Sequence, residues 1–246
     1  RCVVPDTAPK VEAGSSIQRF ETVASPVHTV FFLLALTAVA VLGYFNLHRH
    51  GSAHPPNHLL FYLTTMAWEW LVFGYICWGL RRHGKSFRNI AGDRWKSASA
   101  FFRDLGISAG FWIVAIIVLS VVATLLRAQG MTQAARMLAP HGVLESILWV
   151  ALAVTAGICE ETMFRGYLQR QFVAWTRSAP AGVILSALLF GAGHIYQGAK
   201  ATVVIAVYGL MFGILAEVRQ NLRPGMMVYA WHDTITGLVI RFLPKR

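Results

Sequence analysis

Cys159-Glu160-Glu161-Thr162-Met163-Phe164-Arg165-Gly166 closes a long apolar run, Val143 to Ile158. Two adjacent carboxylates at the end of a membrane-grade segment are costly, and ionisable side chains at membrane depth mark functional sites. Successive helical residues diverge by about 100°, so Glu160 and Glu161 face different ways. Residues four apart share a face, so Glu161 and Arg165 can pair along the helix. Glu160 is then left without a built-in partner. A carboxylate buried beside another acid can work as a general base or acid near neutral pH. From this segment alone a second reading stands beside the first: both glutamates lie at a helix end in the headgroup region and pair with Arg165 and Arg170.

The rest of the composition agrees with a membrane setting. The chain has 246 residues, 56% hydrophobic and 13% charged, with mean hydropathy +0.53. Soluble domains carry about 25% charged residues. The expected fold is an all-α polytopic membrane protein, a bundle of about seven transmembrane helices with a polar site in the membrane. No internal repeat is evident, so an inverted-repeat transporter is not indicated. The net charge of +11 gathers in short loops between apolar runs, the pattern of cytoplasmic loops, and not in a nucleic-acid-binding face. Cys2, Cys77 and Cys159 form no Cys-x-x-Cys pair, so neither a disulfide framework nor a zinc-thiolate site is suggested. Cys159, beside the acidic pair, reads as a small apolar helix residue in preference to a nucleophile.

In chain order, residues 1–27 form a polar N-terminal segment that is mobile or lies on the surface. Thr29 to Phe45 is the first span, followed by His48-Arg49-His50 and a turn at Pro55-Pro56. His58 to Leu80 is the second and carries Glu69 between Trp68 and Trp70, read as a structural acid paired to a neighbouring helix. Arg81 to Arg103 is a basic loop with Asp93 as its one acid, which places it and the N-terminus in the cytoplasm. Leu105 to Leu126 is the third span, with Gly106 and Gly110 spaced for a close helix contact. Arg127 to His141 is a polar connection with room for a short interfacial helix. Val143 to Trp175, Ala181 to His194, Ala199 to Ala216 and Met226 to Leu243 complete seven elements; the run at 181–194 is short for a full span.

Two further polar patches lie in apolar surroundings. Phe190-Gly191-Ala192-Gly193-His194 puts Phe190 and His194 on one helix face, with glycines that let backbone or substrate approach. Trp231-His232-Asp233-Thr234-Ile235-Thr236-Gly237 puts His232 and Thr236 on one face, with Asp233 turned away by about 100°. Taken alone, His194 at a helix end reads more readily as an interfacial residue, whereas for His232, flanked by apolar sequence on both sides, the two readings stand level.

Glu-Glu-x-x-x-Arg, Phe-x-x-x-His and His-x-x-x-polar, each in its own apolar helix, together resemble the CPBP family. These are the type-2 CAAX prenyl proteases and their bacteriocin-processing and immunity relatives. The resemblance covers about Leu144 to Leu243. It implies a glutamate-dependent intramembrane endopeptidase in which Glu160 activates the attacking water and His194 holds it. It further implies that Glu161 and Arg165 form a supporting ion pair, that His232 stabilises the oxyanion, and that Phe190 and Asp233 support the site. The prenyl proteases usually carry asparagine four residues after the last histidine. This chain has Thr236, a shorter donor in the fourth catalytic place. The implied organisation is a polar segment at 1–27, N-terminal transmembrane helices and basic loop at 28–142, and a catalytic transmembrane core at 143–246. The implied partners are the bilayer and a peptide or protein substrate, prenylated or not, with no nucleic acid. The expected location is the bacterial inner membrane. No cofactor is expected; the alternative is zinc on Glu160, His194 and His232, although a His-Glu-x-x-His helix is absent. The competing functions are a catalytically inactive scaffold or immunity protein, and a transporter using the buried acid and histidines as a proton relay.

Overall fold

The structure, a computed structural model, describes residues 20–50, 57–128, 136 and 138–240, with the side chains of 46–50 outside that description. Among the described residues every regular element is helical. α1 spans Pro26–His50 and α2 His58–Arg82; the short α3, Phe87–Ala91, lies in the basic loop, and α4 spans Ala98–Leu125. α5, Gly142–Glu160, runs unbroken through a π-helical segment, Glu161–Gln169, into α6, Arg170–Thr176. α7 is Ala179–Gly193, and a 3-10 turn, Ile195–Gln197, leads into α8, Ala199–Arg219, and then α9, Arg223–Ile240.

Local chemistry sets the helix ends. The Asn57, Ser97 and Ser178 side chains accept from Leu60 N, Ala100 N and Ala181 N and cap α2, α4 and α7. Arg177 and Gln220 take left-handed conformations, with φ of 56° and 49°, and stop α6 and α8. All seven apolar runs of the sequence are helices. Five are long and apolar enough to cross a membrane: Pro26–Phe45, His58–Arg82, Ala98–Leu125, Gly142–Thr176 and Ala199–Arg219. The fold is therefore an all-α polytopic membrane bundle. α7, at 15 residues, reaches about 22 Å of a hydrocarbon core about 30 Å thick. It is too short for a full span and ends at His194. α9 owes its exclusion from the five to the polar residues it brings inward.

Helix packing follows the small residues, though not all of them. α7 lies against α8, α5 against α2 and α9, and α4 against α8 and α9. A side chain on Gly209 would come 3.0 Å from the Phe190 ring, and one on Gly191 would come 2.8 Å from Thr202 O, so these glycines set the α7–α8 approach. Gly106 and Gly110 have nothing within 4 Å of a would-be side chain. The close contact expected of that pair is absent among the described residues.

The basic loop gathers with the start of α1 and the ends of α6 and α8 on one side of the bundle. Lys85 Nζ donates to Thr22 O at 3.1 Å, and Arg170 donates to Asn89 O and Ile90 O. Residues 1–19 of the polar N-terminal segment lie outside the described residues, as do the Pro55-Pro56 turn and most of the 127–141 connection. Two residues of the described part of the N-terminal segment do not lie on the surface. Val23 and Ala24 are buried, and both donate their amides to Gln171 Oε1, whose Nε2 donates back to Ala24 O. No local pattern marks this clamp, because its halves lie nearly 150 positions apart.

On the same side, buried Asp104 accepts from Trp95 Nε1 at 2.9 Å and Arg219 Nη2 at 3.1 Å, with Arg223 Nε at 3.6 Å. Asp104→Ala leaves two cations facing an empty acceptor. Both arginines are partly solvated, so water recovers some of the loss. The expected cost is about 2 kcal/mol, read as a lower melting midpoint in detergent. An unchanged midpoint would show that this network carries no stability.

Candidate active site

The polar site forms where α5 widens into the π-helical segment. Thr162 Oγ1 donates to Ile158 O at 2.6 Å and occupies the carbonyl that an α-helical amide at position 162 would take. From Glu161 to Gln169 the backbone bonds reach five residues. Such segments are rare and recur at functional sites.

Glu161 and Arg165 pair as their spacing predicts, Oε1 to Nη1 at 2.8 Å, each side chain about 1% exposed. The contact is close but lies off the hydrogen-bond direction, so neither Glu161 oxygen receives a hydrogen bond. Arg165 Nη2 donates to Gly209 O at 3.1 Å. Its guanidinium carbon lies 4.4, 5.0 and 6.0 Å from the rings of Phe190, Phe212 and Phe164, a cation held on aromatic faces. Both members are thus committed to the bundle interior, and Arg170 makes no ion pair with Glu160 among the described residues. Room for Glu161 comes from α9. A side chain on Gly225 would meet Glu161 Oε2 at 2.5 Å. Gly225→Ala should therefore lower thermal stability by about 1–3 kcal/mol through overpacking; an unaltered melting curve would mean that α9 yields freely.

Glu160 is only half-buried and turns the other way. Its Oε2 accepts a hydrogen bond from Tyr229 Oη at 2.8 Å, and Oε1 has no partner among the described residues. Tyr229 lies one turn before His232 on α9, so the 3.6-residue spacing marks it as a face-mate of that histidine. His194 sits at the C-terminal end of α7, and its Nδ1 lies 2.8 Å from Phe190 O. A carbonyl can only accept, so Nδ1 carries a proton, and in the neutral ring Nε2 then presents a lone pair. His232 packs against Tyr208 with ring centres 5.2 Å apart. Neither His232 nor Thr236 makes a side-chain hydrogen bond among the described residues.

Aromatic rings join the three patches. Phe190 lies 5.0 Å from His194 and 6.3 Å from Tyr229, and Tyr229 lies 6.4 Å from Tyr208. Phe190 is thus the common wall of the Arg165 cage and the His194 ring. The Tyr208 hydroxyl is buried with no hydrogen-bond partner among the described residues. Trp149 Nε1 donates to Asp233 O at 2.8 Å and fixes α9 on α5. The Asp233 carboxylate lies within electrostatic range of Glu160.

Glu69 departs from expectation. It is 6% exposed, its Oε2 has no hydrogen-bond partner, and no neighbouring helix offers it a cation among the described residues. Its electrostatic neighbours are Glu160 and Asp233. The structure therefore gathers three carboxylates from α2, α5 and α9, where the sequence reading had placed two. Tyr196, in the turn after His194, feels all three. The three carboxylates lie within electrostatic range of its hydroxyl, which accepts from Gln197 Nε2 at 3.1 Å.

Cys159 is fully buried in the core, as a small apolar residue would be. The ligand atoms of Glu160, His194 and His232 do not converge as a metal set. Among the described residues the group whose ligand atoms lie within 4.8 Å of one another is His58, His141 and Glu145, elsewhere in the fold. An apolar cavity of about 420 Å³ flanks His194, lined by Phe164, Leu189, Ala192, Gly193, Ile195 and residues of α1.

Residues 142–235 match the model of a family described as type II CAAX prenyl endopeptidase Rce1-like. The match spans less than half of the chain. It contains the acidic pair and both histidines, and stops one residue before Thr236. No curated protein and no solved structure matches the chain.

Proposed function

From the premise that residues 142–235 belong to the Rce1-like type II CAAX endopeptidase family, we propose that the chain is a glutamate-dependent intramembrane endopeptidase. Glu160 Oε1 takes a proton from water, and the resulting hydroxide attacks the scissile carbonyl carbon. His194 Nε2 accepts the second hydrogen of that water and aims it. His232 donates to the carbonyl oxygen as it becomes an oxyanion, a contact typically worth about 3–4 kcal/mol. Glu160 then passes its proton to the leaving amine, and the C–N bond breaks. Tyr229 holds the carboxylate during both transfers. Thr236 stands one turn beyond His232 with an uncommitted hydroxyl, and we assign it the fourth, weaker donor role. The observation that carries the reading is the Tyr229–Glu160 hydrogen bond, because it brings the first and third motifs to one point.

The cavity beside His194 favours a substrate with an apolar side chain or lipid group next to the cleaved bond. We place the N-terminus and the basic side of the bundle in the cytoplasm, by the positive-inside rule, and the protein in a bacterial inner membrane. The test is cleavage of prenylated and unprenylated peptides by detergent-purified protein, with and without a zinc chelator. Cleavage that resists chelation supports the glutamate–water mechanism. Loss on chelation, restored by zinc in wild type and in His141→Ala alike, would move Glu160, His194 and His232 into a metal site. A folded wild-type protein that cleaves no peptide of the panel would favour the inactive scaffold, the reading to which Thr236 in place of asparagine lends weight.

A further inference from the structure

His58 opens α2, His141 immediately precedes α5, and Glu145 lies in the first turn of α5. They meet at the end of the bundle opposite the basic loop, away from Glu160. His58 Nδ1 lies 2.9 Å from Glu145 Oε2, and His141 Nδ1 lies 3.8 Å from the same oxygen. The two imidazoles stack with centroids 5.3 Å apart and planes 21° apart, so both Nδ1 edges face one carboxylate. We propose that His58, His141 and Glu145 form a binding site for a divalent transition-metal ion of the zinc type.

The donor set and its spacing carry the argument. Two imidazoles and one carboxylate form a known three-ligand zinc set, with bonds of about 2.0–2.2 Å that leave the fourth tetrahedral place to water. Tetrahedral ligands at that distance stand about 3.3–3.5 Å apart. The observed 2.9 and 3.8 Å bracket this value, so an ion needs shifts of only a few tenths of an ångström. A simple ion pair needs one histidine, and here two converge on one oxygen. The carboxylate is already fixed, since Oε2 accepts the His141 amide at 2.6 Å. The approach to α5 is fixed as well, because buried Tyr62 donates its hydroxyl to Leu138 O at 2.6 Å. The side chain of His58 is 9% exposed and that of His141 71%; the ion therefore has a buried ligand to anchor it and an open side for entry and for water. The sequence adds an independent sign: His48, His50, His54, His58 and His141 account for five of the nine histidines, and short histidine-rich tracts are a metal-binding composition. A bound ion would tie the starts of α2 and α5 together, the helices that carry Glu69 and Glu160.

The test is calorimetric titration of the tag-free, detergent-purified full chain with Zn²⁺ alone, with melting curves recorded in parallel. One equivalent should bind, and the melting midpoint should rise, because a ligand that prefers the folded state stabilises it. His141→Ala removes a solvent-exposed ring and should fold normally, yet weaken zinc at least tenfold and abolish the melting shift. Glu145→Gln should do the same. Glu160→Gln should bind as tightly as wild type, which separates this site from the peptidase centre. No zinc binding by wild type, or equal affinity in folded His141→Ala, would overturn the proposal. Binding lost in Glu160→Gln but kept in His141→Ala would overturn it too, by placing the ion at the other site.

Discussion

Glu160→Gln should lower peptide hydrolysis by about 10²–10⁴-fold, the usual range for a general base, and should leave the melting midpoint where it is. The amide keeps the shape of the carboxylate, and its oxygen can still accept from Tyr229 Oη. What is lost is the basic lone pair on the oxygen that faces away from Tyr229. Stability should hold because Glu160 is half-buried and has no cation to abandon. Initial rates at saturating peptide, with melting curves on the same preparations, check both halves. Retained cleavage in the amide variant would remove Glu160 from the proton-transfer role. A collapse in melting would assign it to the scaffold instead.

Glu161→Ala should behave in the opposite way and fail at folding. Arg165 would keep its charge at 2% exposure, with only Gly209 O and three aromatic faces around it. Breaking a buried pair by removing one partner costs about 3–5 kcal/mol, a large part of the whole stability of a typical domain. Folded yield in the membrane and the melting midpoint of what can be purified are the readouts. The double change Glu161→Leu with Arg165→Met separates pairing from packing. It removes both charges, and buried pairs replaced by apolar residues of similar volume often lose little. Normal yield in Glu161→Ala alone would sink the structural-pair assignment.

These two variants show how much was legible beforehand. Adjacent glutamates differ in role because helical neighbours diverge, and Arg165 at the fourth position names the structural one. The seven elements were legible because each is a long apolar run. The π-helical segment was not, since it depends on a threonine hydroxyl taking a carbonyl, and threonine does so in many helices without widening them. Glu69 was misjudged for a related reason. Flanking tryptophans mark an interface but do not say what crosses it, and its neighbours come from residues about 90 and 160 positions away. Tyr229 was within reach of the spacing argument and was passed over because tyrosine in an apolar helix usually means packing. Gly106 and Gly110 show the reverse error, a motif whose spacing is right with no helix placed on it.

α9 brings both Tyr229 and His232, and it follows every other described helix in synthesis. A chain still on the ribosome can complete the Glu161–Arg165–Gly209 arrangement once α8 has entered the membrane. At that stage Glu160 lacks the Tyr229 hydroxyl that holds it, and His232, the oxyanion donor of the proposed mechanism, has not been made. On that mechanism proteolytic competence arrives last, after the bundle that would contain it has been inserted. Newly made neighbours in the same membrane, and the chain's own unfinished segments, would then meet a scaffold before they meet a complete site.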